Sequence, residues 1–189
     1  MEEIQQTAEP VNKLNSAAVN GLKLAAISII FSLIATLVPK GMVAGTFLGL
    51  ALTLFKLGAT ITFLWWAMKT FSLKNAAANE FTTYGNVFTY GLLTSVFSGI
   101  ILAVYSYIDL KWINPDSVQL MKDAYLGQLQ NVPEASYTFI ENIFSNIDLI
   151  ATLGTFFSAI FYGLIFSLIL AYFTKIDPNR MQSFGNGQY

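Results

Sequence analysis

The feature that most limits what this chain can fold into is an uncharged run at residues 81–108, 28 positions without Asp, Glu, Lys or Arg. About 20 mostly apolar residues are enough to cross a bilayer as a helix. Within the run, small residues recur at every fourth position, Gly91, Ser95, Gly99 and Ala103, so they share one helical face. A face of that kind lets another helix approach closely, which is how helices associate in lipid.

Three further blocks of the same character flank it. Charged residues make up 11% of the chain and hydrophobic residues 54%, where a soluble domain has about 25% charged. The missing charge is missing from these four blocks, so the expected fold is all-α: a four-helix transmembrane bundle with spans at about 21–39, 41–68, 86–108 and 149–174. Residues 1–20 are expected to be a frayed polar tail, with room for a short interfacial helix after Pro10. The membrane domain is expected over 21–175, and a disordered tail over 176–189.

Span one is stopped by Pro39-Lys40-Gly41, a turn short enough to force span two back beside it. Span two carries Gly41, Gly45, Gly49 and Thr53 at four-residue spacing and exits at Trp65-Trp66 with Lys69 beyond. Paired tryptophans favour the headgroup level, where an apolar ring keeps its N–H near water. Span four repeats the ladder through Ala151, Thr155, Ala159, Gly163, Ser167 and Ala171. Gly45, Gly49, Gly91, Ser95, Gly99, Ala159 and Gly163 are therefore expected to be helix-packing positions.

Between spans three and four, residues 109–148 form an acidic loop in which two amphipathic helices are expected. Asn114 and Pro115 read as a cap followed by a first-turn proline, with Val118, Met121, Tyr125 and Leu129 on one face. Pro133 ends that helix and starts another bearing Ile140, Ile143, Phe144 and Ile147. Lys13, Lys23, Lys69, Lys74, Lys175 and Arg180 fall on one side of the spans, against Lys40, Lys111 and Lys122 on the other. That bias predicts that both termini are cytoplasmic.

The sequence has no Cys and no His, which removes disulfides, thiolate chemistry, imidazole ligands and Ser-His or Cys-His pairs. Its net charge of −1, with scattered lysines, argues against nucleic acid as a partner. Phosphate-binding loops and metal, kinase or hydrolase signatures are lacking too. No catalytic residue, cofactor or metal is expected, and the chain is not expected to be an enzyme.

Lys56 is the one ionisable residue well inside a span. It lies nine or ten residues deeper than Trp65 and Trp66, about 14 Å at about 1.5 Å per residue, near the middle of a core about 30 Å thick. Lysine there costs about 2.5–3.5 kcal/mol on insertion scales. Its functional reading is a polar site for an anion or a proton. Its plainer reading is an amine bonded to carbonyls or hydroxyls of neighbouring helices. The other polar side chains within the spans are mainly Thr53, Thr60, Thr94, Ser98 and Ser158. Asp109 and Asp116 flank Asn114 at the outer surface, but no calcium-loop spacing accompanies them, and Asp116 reads as a first-turn acid.

Thr83-Tyr84-Gly85 with Gly91, then Tyr105-Ser106-Tyr107-Ile108 running into Ile113-Asn114-Pro115-Asp116, resembles the uncharacterised domain family 4199. The likeness covers roughly residues 22–175. It implies a small bacterial membrane protein with four spans and no assigned activity, placed beside a membrane glycosyltransferase that acts on a lipid-linked sugar. The leading expectation is therefore a non-enzymatic accessory or scaffold module in the bacterial inner membrane, in contact with lipid and with a membrane-protein partner or a second copy of itself. The alternative is a small transporter or lipid-handling protein with its polar site around Lys56.

Overall fold

The computed structural model describes residues 9–38, 43–78, 80–128 and 142–176. The stretch 39–42 expected as a turn, most of the stretch expected as a second loop helix, and the outermost parts of both expected tails lie outside the described residues. Among the described residues there are helices and no strand. They are α1 (Lys13–Thr36), α2 (Val43–Ala77), α3 (Tyr84–Ile108), a π-helical turn (Asp109–Ile113), α4 (Pro115–Gln128) and α5 (Ile147–Thr174). The stretches Lys13–Thr36, Phe47–Ala77, Tyr84–Ile113 and Ile147–Thr174 are long and apolar enough to cross a membrane. Their outward faces agree, since Phe55, Phe157 and Phe173 are 70%, 63% and 71% exposed. Large apolar side chains left open on every span suit hydrocarbon rather than water.

The first helix begins at Lys13, eight residues ahead of the expected start at Gly21. Asn12 caps it, its side chain accepting from the Asn15 N–H at 3.0 Å. Ala17, Gly21 and Ala25 are buried in it at four-residue spacing, so the close-packing face starts inside what reads as a polar tail. Two polar ties hold this segment down. The Val11 N–H donates to Asn75 Oδ1 at 3.1 Å, and Asn20 Nδ2 donates to the Tyr90 hydroxyl at 2.6 Å, with Ser16 Oγ 3.0 Å from the same oxygen.

The second helix likewise runs past Met68 to Ala77, because Phe71, Ser72 and Asn75 are buried in the bundle. Thr83 starts α3, its hydroxyl accepting from the Asn86 N–H. At the far end of α3, Asn114 donates to Asp109 through its backbone N–H and through its side chain, at 2.7 and 2.9 Å. The Asn114 side chain thus closes the π turn instead of capping α4. Pro115 still opens α4, where its missing N–H costs nothing.

Direction follows from the contacts. Ser16 meets Tyr90 and Gly21 meets Thr94 and Phe97, so α1 and α3 run parallel. Gly91 meets Ser167, Gly163 meets Ser95 and Gly99 meets Ala159, so α5 is antiparallel to α3. Phe71 stacks on Tyr90 at 4.1 Å and Met68 reaches Gly91, which makes α2 antiparallel as well. The helices alternate in direction, and the start of α1 shares an end of the bundle with the end of α5. Ala17 and Ala171, both fully buried, belong to one core there with Leu64, Ala67, Met68, Phe71, Val87 and Tyr90. We call this the closed end. Towards the other end α2 has no buried side chain among the described positions before Leu64, and the bundle opens.

Candidate functional site

Small side chains bring α3 and α5 close, and hydroxyls then line the space that α2 leaves. A Cβ on Gly163 would overlap the Ser95 side chain, one on Gly91 would come within 2.5 Å of Ser167 Oγ, and one on Gly99 within 3.1 Å of the Ala159 Cβ. These contacts fix the wall opposite α2. Gly49 behaves differently, with nothing within 4 Å of where its Cβ would stand. Gly45 is half-buried on the same helix. Gly49 and Gly58 of α2 thus do not form the tight contacts that Gly91, Gly99 and Gly163 form between α3 and α5.

Between this wall and α2 lies a cavity of about 650 Å³. Every spanning helix contributes hydroxyls to it: Ser28 from α1, Thr53 and Thr60 from α2, Ser95 and Ser98 from α3, Thr155 and Ser158 from α5. Lys56 stands among them, with Leu24, Leu57, Leu64, Leu102 and Phe166 as apolar lining. Of the polar span residues singled out in the sequence, Thr53, Thr60, Ser98 and Ser158 come together here. Thr94 does not. It is fully buried on α3, with its hydroxyl donating to the Tyr90 carbonyl at 2.9 Å.

Several of the lining hydroxyls spend their proton on their own helix. Thr53 donates to the Gly49 carbonyl at 2.9 Å, Ser95 to Gly91 at 3.1 Å, and Thr155 to Ala151 at 2.9 Å. Each keeps acceptor lone pairs for the cavity. No hydrogen bond or ion pair joins Lys56 to any described residue. Its ammonium brings three donors to a space otherwise rimmed by hydroxyls and hydrocarbon.

The carboxylates on either side of Asn114 are placed elsewhere. Asp109 is engaged with Asn114, and Asp116 sits in the first turn of α4. Lys111 donates to the Tyr107 hydroxyl at 2.7 Å and lies 3.8 Å from Asp148. Trp112 is 66% exposed, edge-on to Tyr107. Among the described residues no three acidic side chains gather as a metal site would need.

A family model described as "Protein of unknown function (DUF4199)" matches residues 20–175. The chain belongs to this family. The match takes in α1 from residue 20 onward, the whole of α2, α3 and α5, and the whole lining of the cavity of this DUF4199 protein. No curated protein and no solved structure matches it.

Sequence reasoning missed what closes this DUF4199 bundle at its other end. Tyr90, Asn20, Ser16 and Asn75 form the polar lock, and three of them lie in segments read as tail or loop. The signal was there: Ala17, Gly21 and Ala25 continue a small-residue face backwards from the first span.

Proposed function

We propose that this chain is a non-enzymatic, multi-pass protein of the bacterial inner membrane, with both termini cytoplasmic, that takes an amphiphile with an anionic headgroup into the cavity around Lys56. The observation that carries this reading is the Lys56 side chain, without a hydrogen bond or ion pair among the described residues, on the wall of a space of about 650 Å³. A cation held at mid-span is costly unless water or an anion solvates it. The hydroxyls of four helices supply a polar lining for a headgroup, and the leucines and Phe166 supply an apolar one for its chains. Such a site is a resting place for a headgroup part-way across the bilayer, as lipid movement requires.

The test is to purify the wild-type chain, Lys56→Met and Lys56→Arg in mild detergent and to identify bound lipid by mass spectrometry. The reading expects an anionic amphiphile enriched with the wild type and with Lys56→Arg, and lost with Lys56→Met at unchanged melting temperature. Identical lipid profiles in all three would contradict it.

A second reading, an accessory or scaffold module, is favoured by Gly49, where an added Cβ would meet nothing within 4 Å among the described residues. That face suits a membrane-protein partner or a second copy, and the glycosyltransferase of a lipid-linked sugar is the partner this reading names. Photo-crosslinking from position 49 in native membranes tests it. Adducts with lipid alone would remove it.

A further inference from the structure

A second pocket, of about 310 Å³, lies at the closed end between the start of α1 and the end of α2. It shares no lining residue with the cavity around Lys56, and fully buried Ala67 and Met68 belong to the core packed at this end. Its character is also different. Lys23 and Lys74 are exposed at its rim, from α1 and α2 respectively, and neither is ion-paired among the described residues. Asn15, Asn20 and Thr70 add amide and hydroxyl groups, and Trp66 forms part of its side.

The floor is rigid. Asn20 is held by its bond to Tyr90, and Tyr90 is clamped by stacking on Phe71 at 4.1 Å. With one Asn20 Nδ2–H bonded there, its second N–H and the Asn15 side-chain amide, which has no hydrogen bond among the described residues, remain to order water or ligand. Two ammonium groups, neutral donors and a preformed base make a receptor for a compact anion rich in acceptor oxygens, and phosphate is the common group of that kind.

The surroundings select the form of phosphate. Val19, which lines the pocket, is 47% exposed, and Leu22 beside Lys23 is 57% exposed. An anion seated here would have an apolar helix face next to it on which acyl chains can lie. Trp66, 48% exposed, marks the depth as that of the headgroups.

We infer that the pocket bounded by Lys23, Lys74, Asn15, Asn20, Thr70 and Trp66 binds the phosphate headgroup of an anionic lipid. It is independent of the Lys56 reading and stands if that reading fails. Lipid bound here pins α1 to α2 at the end of the bundle where they are already tied by Val11 and Asn75.

Native mass spectrometry of the full chain, titrated with phosphatidylglycerol and with phosphatidylcholine, tests this. Phosphatidylglycerol is expected to bind the wild type in preference, and Lys23→Gln with Lys74→Gln is expected to weaken it about thirtyfold, since each near-surface basic charge contributes appreciably to anionic lipid binding. Lys69→Gln with Lys175→Gln removes the same charge outside the pocket, where these lysines lie over Trp65 and Tyr172, and is expected to change binding less than about threefold. Equal losses in the two double variants would show a diffuse basic belt and overturn the site. Glycerol 3-phosphate is expected not to compete at millimolar concentration. Full competition would place a soluble phosphate in the pocket and overturn the lipid assignment. Melting temperatures in phosphatidylcholine alone are expected to be the same for all three chains, so that a folding defect is not read as lost binding.

Discussion

Gly163 on α5 and Ser95 on α3 face each other so closely that a methyl group on the glycine would overlap the serine Cβ as well as its hydroxyl. A change of rotamer moves only the hydroxyl, so relief requires the helices to part. Gly91 is less crowded, since a methyl group there would meet Ser167 Oγ and Met68 Sδ at 2.5 and 2.8 Å and the Ser167 Cβ only at 2.9 Å, and Gly49 meets nothing. Thermal unfolding in detergent is therefore expected to rank the three alanine variants. Gly163→Ala should cost the most, about 1–3 kcal/mol as overpacked sites do, Gly91→Ala less, and Gly49→Ala nothing measurable. Equal costs at all three would contradict the packing described.

The Tyr90 hydroxyl serves two partners on α1, Asn20 and Ser16. Tyr90→Phe keeps the stack on Phe71 and removes both bonds, leaving the Asn20 amide without its acceptor. A loss of about 1–3 kcal/mol is expected, from about 0.5–1.5 per hydrogen bond. Hydrogen exchange should quicken at residues 13–20 more than elsewhere in α1, because that is the segment the tie holds.

Lys111 and Asp148 make the one ion pair among the described residues, at 3.8 Å, with side chains 49% and 34% exposed. Solvent screens such a pair, and Asp148→Asn is expected to change the melting free energy by less than about 1 kcal/mol. A larger loss would mean that this contact, rather than helix packing, holds the loop to the bundle.

The four long apolar helices were legible because absence of charge over about 20 residues has few other solutions. The small-residue ladders stand in the sequence, but which helix each one meets does not: in the structure Gly91 meets Ser167, Gly99 meets Ala159 and Gly163 meets Ser95. Helix ends were not legible. Residues 11–20 read as a polar tail, yet the Val11 N–H finds a partner on α2, and Lys13, Ser16 and Asn20 find partners on α3, that no local pattern reveals. Gly49 shows the converse: a ladder states that a face is thin, not that anything covers it. For Lys56, the sequence gives depth along a helix but not the neighbours. Those depend on α2 being held at its Leu64–Phe71 half and standing off at the other, which follows from packing across the whole bundle.

The absence of cysteine makes the central claim directly measurable. Single cysteines placed at Lys56, Thr60 and Ser158, and for comparison at Met68 and Val87, which are fully buried and line neither pocket, report access of water because a thiol reacts with maleimide only as a solvated thiolate. In native membranes labelling is expected at 56, 60 and 158, slowed by added anionic amphiphile at 60 and 158, where Lys56 is kept, and none is expected at 68 and 87. Labelling absent at 56 and 158, or equal at all five positions, would contradict a cavity that reaches Lys56 from one side of a bundle closed at the other.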